Sequence, residues 1–148
     1  MKIAITFFAL IVSCYAWSGE YSDEREMKRQ IDEAVRNLEA DLLKPLRQWE
    51  KEKPVNCNSD KLKTPHTQAV LTAGEFQRRG HEELATFQML AGVHLDIADS
   101  ARKRGCLDFA DGVYRYVISS FIGSGYTAHR QRAQVGLDDI RAVRTRTK

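Results

Sequence analysis

The residue types that could carry chemistry are dispersed along this 148-residue chain. The histidines form no HExxH motif, no pair at helical spacing and no group with two carboxylates, which are the patterns of a protein metal site. The sequence therefore predicts neither a metal site nor a bound cofactor. The four histidines are His66, His81, His94 and His129.

The remaining candidates for catalysis have simpler structural interpretations. His94 lies on the apolar stripe of a predicted helix, which favours a core or groove histidine with one hydrogen bond. Three aspartate pairs, 96/99, 108/111 and 138/139, lie on polar faces, where pairing such as Asp111 with Arg115 at i, i+4 is expected. Ser124 lies between two glycines but lacks the GxSxG elbow and its preceding strand. We therefore predict no enzymatic activity.

The first sixteen residues have the layout of a secretory signal peptide. Lys2 precedes an apolar run from Ile3 to Val12, and small residues follow. Cleavage after Ala16 would discard Cys14, whereas residues 11–14 also resemble the bacterial lipobox, in which that cysteine is acylated and becomes the N-terminus. Both routes predict export, with residues 17–148 as one helical domain. The protein would be periplasmic or anchored to the outer membrane in a bacterium, and otherwise secreted.

Composition and cysteine count restrict the possible partners and the redox setting. With 23 Lys and Arg against 20 Asp and Glu, the formal charge is only +3. Nucleic-acid binding, which usually needs a concentrated basic face, is not predicted. In an oxidising compartment the two remaining cysteines, Cys57 and Cys106, are expected to form a disulfide that stabilises the fold by roughly 3 to 4 kcal/mol.

Apolar residues recur at three- and four-residue intervals over most of the chain, and no useful stretch alternates with period two. The sequence thus predicts an all-α, single-domain bundle of four to five helices. Thr64-Pro65 is expected to open the second helix, and Gly105 is expected to end the third. The fourth is expected to be the most buried element. The predicted helices cover 22–49 with a kink or break before Pro45, 64–79, 81–104, 107–122 and 126–143.

Within residues 91–143, Ala98, Gly105, Ala110 and Tyr114 fall at the small, glycine, small and aromatic positions of a tetratricopeptide repeat. This region resembles such a repeat, although Val117 replaces the usual alanine and no proline closes the unit. The resemblance implies an antiparallel helical hairpin with a groove that binds peptide or protein and performs no chemistry.

Two sets of residues are candidates for contact with a partner. An aromatic and basic set forms a predicted groove for a protein or a ligand. A basic tail over 141–148, expected to fray, could contact an anionic surface. The groove set is His94, Tyr114, Arg115, Tyr116, Phe121, Tyr126 and Arg130, and the tail set is Arg141, Arg144, Arg146 and Lys148.

These features predict a non-catalytic binding or assembly protein of the bacterial cell envelope, whose partner is another envelope or secreted protein, with possible membrane attachment through Cys14. Two alternatives stay open. One is a secreted carrier of a small apolar ligand. The other is a small hydrolase or a hydrolase inhibitor, which would place His94 or His129 against a carboxylate in an open cleft. The carrier's cavity would be lined by Phe87, Leu90, His94, Tyr114 and Phe121.

Overall fold

A computed structural model describes residues 24–146 of the chain. The signal segment, Cys14 and Lys148 lie outside these residues. The prediction of an all-α bundle with one disulfide is confirmed. Five α-helices and one 3₁₀ turn occur within the described part of the chain. They are α1 (Glu24–Trp49), α2 (Asp60–Arg78), α3 (Leu84–Lys103), α4 (Leu107–Ser120), the 3₁₀ turn (Ser124–Tyr126) and α5 (Thr127–Arg146).

The chain divides into two compact units after Arg36. The described part of the first unit, residues 24–36, is helical, and Arg36 Nε donates to the carbonyl oxygen of Asp32 at 3.2 Å. The second unit begins at Asn37 and contains the last half of α1 with all the other helices. No helix in the described part of the chain is long and apolar enough to cross a membrane.

The last turns of α1 are held at a corner where α3 meets α4. Trp49 is fully buried, and its indole N–H donates to the carbonyl oxygen of Asn56 at 2.8 Å. The guanidinium of Arg104 lies 4.6 Å from the centre of that indole and donates to the carbonyl oxygens of Trp49 and Glu52. The guanidinium of Arg104 thus satisfies carbonyl groups at the end of the helix.

Pro45 lies within α1, and the helix continues through it without the predicted break.

The predicted disulfide joins Cys57 to Cys106, with 5.4 Å between the two Cα atoms. Cys57 lies in the loop after α1, and Cys106 directly precedes α4. The bond therefore attaches the 50–59 loop covalently to the same corner that Arg104 holds by hydrogen bonds.

Two glycines with positive φ end helices as expected from sequence. Gly105 has a φ of 84°, and the next amide, that of Cys106, donates to the carbonyl oxygen of Ala101 at 2.9 Å. Gly80 has a φ of 70° and makes the same arrangement, with the amide of His81 donating to Phe76 at 2.9 Å. These are Schellman turns, which favour glycine because the left-handed region is strained for other residues.

Several predicted boundaries were wrong. Helix α2 begins at Asp60, not at Thr64, so that the fully buried Leu62 belongs to its first turn and Pro65 lies inside it. Helix α3 begins at Leu84 because the Schellman turn at Gly80 extends the preceding connection. Helix α4 ends at Ser120, before the predicted 122.

Helix α3, and not α4 as predicted, is the most buried element, and it lies at the centre of the packed helices. It packs against α2, α4 and α5, and ten of its twenty residues are buried. Ala91, Ala98 and Ala101 are among them. Small side chains allow neighbouring helices to approach on several sides, so α3 is surrounded although α4 has the more continuous run of large apolar residues.

Candidate functional site

Two of the four histidines meet inside the second unit. His66 on α2 and His94 on α3 approach with 2.9 Å between their Nδ1 atoms and 4.8 Å between ring centres. Tyr116 on α4 packs edge-on against both rings, at 5.2 Å from His66 and 4.8 Å from His94. Phe121 completes the group, 5.8 Å from His94. We call these four residues the histidine cluster.

The contact between the two histidines fixes their protonation pattern. One Nδ1 must donate and the other must accept, so exactly one of the two carries a proton at that atom. His94 is fully buried, and its Nε2 has no hydrogen-bond partner in the described part of the chain. A buried N–H without an acceptor is the less favourable alternative. We therefore assign the shared proton to His94 Nδ1, which leaves Nε2 of His94 unprotonated and places the other ring's proton on Nε2 of His66.

Burial disfavours the charged form of both rings. It lowers the pKa of His94 to about 3, and neighbouring His66 contributes in the same direction. Burial also lowers the pKa of His66. The pKa of Tyr116 is raised by burial. The cluster is therefore a neutral, hydrogen-bonded assembly at neutral pH. His94 lies in the core, which agrees with the predicted core or groove histidine with one hydrogen bond.

The cluster continues through ring contacts toward the surface. Phe121 lies 5.4 Å from Tyr126, and Tyr126 lies 6.3 Å from His129. Both Tyr126 and His129 are half-buried, and Nδ1 of His129 is a second buried ring nitrogen without a hydrogen-bond partner among the described residues. Four members of the predicted groove, His94, Tyr116, Phe121 and Tyr126, are thus in one connected set.

Tyr114, however, belongs to a different environment. Its hydroxyl donates to Asp99 and accepts a hydrogen bond from Arg102 Nε at 3.2 Å, on the side of α4 that faces α3 and α5. Burial, followed by the hydrogen bond to Asp99, raises the pKa of Tyr114 to about 12. The prediction that Tyr114 and Tyr116 line one groove was therefore wrong, because residues two apart on a helix point to different sides.

The two basic members of the predicted groove form no cation–π contact or hydrogen bond with the rings in the described part of the chain. Arg115 is exposed and pairs with Asp111 at 2.6 Å, which confirms the predicted i, i+4 contact. Arg130 is half-buried on α5. The predicted groove is thus divided between the histidine cluster, the Tyr114 network and the surface.

A polar cleft of about 200 Å³ lies between α1, α3 and α5. Arg132 crosses it, donating to Asp96 at 2.7 Å and to Asp99 at 2.6 Å. The residues named for an apolar ligand cavity lie elsewhere: Phe87, Leu90, His94, Tyr114 and Phe121 are all buried in the core. The remaining lining residues of the cleft are Arg47, Ser100 and Lys103.

An exposed aliphatic patch at one end of the bundle was missed by the sequence analysis. Leu84, the first residue of α3, is 48% exposed, and Ile122, in the turn after α4, is 70% exposed. The side chain of Leu84 lies over Gly125, 2.9 Å from the position that a Cβ would occupy. Gln88 holds the turn by donating to the carbonyl oxygen of Gly125 at 2.7 Å. We call Leu84, Ile122 and Tyr126, which lie in or next to this turn or pack on it, the end patch.

The basic tail differs from the expected frayed end as far as it is described. Helix α5 continues to Arg146, and Arg144 pairs with Asp108 at 2.6 Å. Arg141 pairs with Asp138 at 3.0 Å. Arg141 and Arg144, two of the four cations predicted to face an anionic surface, are therefore engaged with carboxylates of the same chain.

The histidines contact no carboxylate within the described residues, where His81 pairs with Thr86 at 3.0 Å. No group of three or more histidine, cysteine or acidic side chains able to hold a metal ion occurs between residues 24 and 146. No family model, curated protein or solved structure matches the chain.

Proposed function

We propose that this protein is an exported, non-catalytic binding or assembly factor of the bacterial cell envelope, which binds a protein or peptide through the end patch. Export is supported by Lys2, the apolar run from Ile3 to Val12 and the small residues that follow. The Cys57–Cys106 disulfide is consistent with an oxidising compartment.

The observation that carries the binding proposal is the exposure of two large aliphatic side chains at one end of the bundle. Single exposed apolar residues are common, whereas exposed apolar residues grouped in one region can mark an interaction site. Leu84 packs on the turn that Gln88 fastens to α3, Ile122 precedes that turn, and half-buried Tyr126 is its last residue. Because this backbone is held by hydrogen bonds, little conformational entropy is lost on binding there.

Photo-crosslinking in cells of the source organism tests this proposal. A benzoylphenylalanine residue at position 122 is expected to give a discrete crosslinked product. The same probe at position 71 serves as the matched control, since Leu71 is 68% exposed but lies on α2. Leu84→Lys, introduced together with the probe at 122, is expected to abolish the product. Equal crosslinking from 71 and 122, or a product that Leu84→Lys leaves unchanged, would refute the end patch as the binding surface.

The mode of attachment to the envelope is tested separately by the intact mass of the mature protein. A diacylglyceryl group on Cys14 would identify a membrane-anchored lipoprotein, and a chain beginning at Trp17 would identify a soluble exported protein. A mass that corresponds to the uncleaved chain in the cytoplasmic fraction would contradict export.

A further inference from the structure

The His66–His94 contact connects a peripheral helix to the centre of the bundle. Helix α2 packs against α3, whereas α4 and α5 each pack against α3 and against each other. Among the described residues, this contact is the only side-chain hydrogen bond between α2 and α3. We propose that the His66–His94 pair is a pH-sensitive switch, whose protonation releases α2 from α3.

The geometry permits a limited number of protons on the pair. In the neutral pair one Nδ1 donates and the other accepts, and a single added proton still leaves one lone pair between the rings. A second proton makes both Nδ1 atoms donors, so that two cations face each other at the 2.9 Å separation with no acceptor between them. Full protonation therefore requires the two rings, and with them the two helices, to separate.

The surroundings offer the protonated rings no counter-charge. The groups in ring contact with the pair are Phe109, Tyr116 and Phe121, of which only the tyrosine titrates. Tyr116 is neutral because its pKa is raised by burial. No carboxylate hydrogen-bonds or pairs with either histidine in the described part of the chain. The charged form is thus stabilised only when the rings reach water.

The connections of α2 make its release local. The Cys57–Cys106 bond lies three residues before Asp60 and holds the preceding loop on the α3–α4 corner, and the turn at Gly80 connects the other end to α3. Release would expose Leu62 and Ala69, which are fully buried in the closed form. This surface is distinct from the end patch, and the proposal does not depend on the partner-binding proposal.

Hydrogen–deuterium exchange of the mature protein at pH 7 and pH 5 tests the switch, after correction for the intrinsic pH dependence of exchange. His94, whose pKa lies at about 3 when buried and at 6.5 when exposed, would by itself increase the opening constant about 25-fold between these values. Peptides from 60–78 are therefore expected to lose protection about 25-fold or more and to exchange faster than peptides from 127–146, which are expected to open only with global unfolding.

Three variants separate the proposal from a general effect of acid. His94→Leu removes the titrating group from a buried position and is expected to abolish the increase of about 25-fold. His66→Asn retains an amide able to bond His94, so it is expected to keep the His94 contribution and to remove only the loss of protection in excess of it. His129→Asn, at a half-buried histidine on α5, is expected to leave the loss of protection in α2 unchanged. Exchange of α2 that is no faster than that of α5 at pH 5, no loss of protection in α2, or a loss of about 25-fold that persists in His94→Leu would overturn the proposal.

Discussion

The substitution of Gly136 by alanine probes a close approach between α4 and α5. A Cβ at this position would lie 2.5 and 2.6 Å from Cε2 and Cε1 of Tyr114, and closer still to Cζ. Carbon atoms that are not bonded to each other do not approach this closely. Tyr114 is fully buried, and its hydroxyl is held by Asp99 and Arg102, so that the ring cannot turn away without losing bonds to charged groups.

The expected cost follows from the two ways of relieving this overlap. Displacing α5 is an overpacking change, which typically costs about 1–3 kcal/mol. Rotating the ring instead forfeits hydrogen bonds to charged partners, each contributing roughly 1.5–3 kcal/mol. Alanine returns about 1 kcal/mol through its higher helix propensity. Because the overlap is severe, the cost of displacing α5 lies at the upper end of that range, and after the gain in helix propensity we expect Gly136→Ala to lower the free energy of unfolding by ~2 kcal/mol.

Urea unfolding followed by circular dichroism at 222 nm measures this effect. Gly112→Ala is the matched control, since Gly112 lies in α4 and a Cβ there would meet no atom within 4 Å. This control is expected to be neutral or more stable by up to about 1 kcal/mol. In a double-mutant cycle, Tyr114→Leu removes the obstructing ring, so Gly136→Ala is expected to cost much less in that background. Unchanged stability of the single variant, or purely additive effects, would refute the described packing.

Other predictions concern the corner and the buried histidine. Replacing Cys57 and Cys106 by serine is expected to lower the free energy of unfolding by roughly 3–4 kcal/mol, measured by urea titration; an equally stable variant would contradict a structural role for the bond. Arg104→Lys is expected to shift the fluorescence of Trp49 and to lower the free energy of unfolding by about 1–3 kcal/mol, because lysine cannot reproduce the two carbonyl contacts. Unaltered emission would contradict the packing of Arg104 on Trp49. His94 is neutral when folded, with a pKa of about 3 against 6.5 unfolded, so stability is full above pH 6.5 and is lost as the pH falls below it. Between pH 7 and pH 5 the free energy of unfolding is expected to fall by about 2 kcal/mol in the wild type, and an equal fall in His94→Leu would contradict this assignment.

The fold was predictable to the extent that its signals are local. Helical periodicity, the glycine that ends α3 and the pairing of the two remaining cysteines all follow from short-range pattern or from cysteine count. The central position of α3 was not predictable in this way, because it depends on which neighbouring helices pack against its small side chains in the folded protein. The large apolar side chains of α4 indicated that this helix is buried, but they did not indicate where it lies in the bundle.

The candidate site was harder to predict from the sequence, because it also depends on tertiary packing. His66 and His94 are separated by 28 residues, and only tertiary packing brings them within 2.9 Å. The end patch combines the start of α3 with a turn near residue 122, which no periodicity connects. By contrast, the misplacement of Tyr114 beside Tyr116 was avoidable, since helix geometry alone places residues two apart on different sides.

The measurement that tests the central claim most directly is the sedimentation of the protein in gently solubilised envelope extract, compared with the purified chain. The wild type is expected to migrate in an assembly larger than the isolated protein, and the double variant Leu84→Lys/Ile122→Lys is expected to migrate as the isolated protein does. A folded wild type that sediments at the isolated size in the extract, or a double variant that remains in the larger assembly, would contradict a binding role for this end of the bundle.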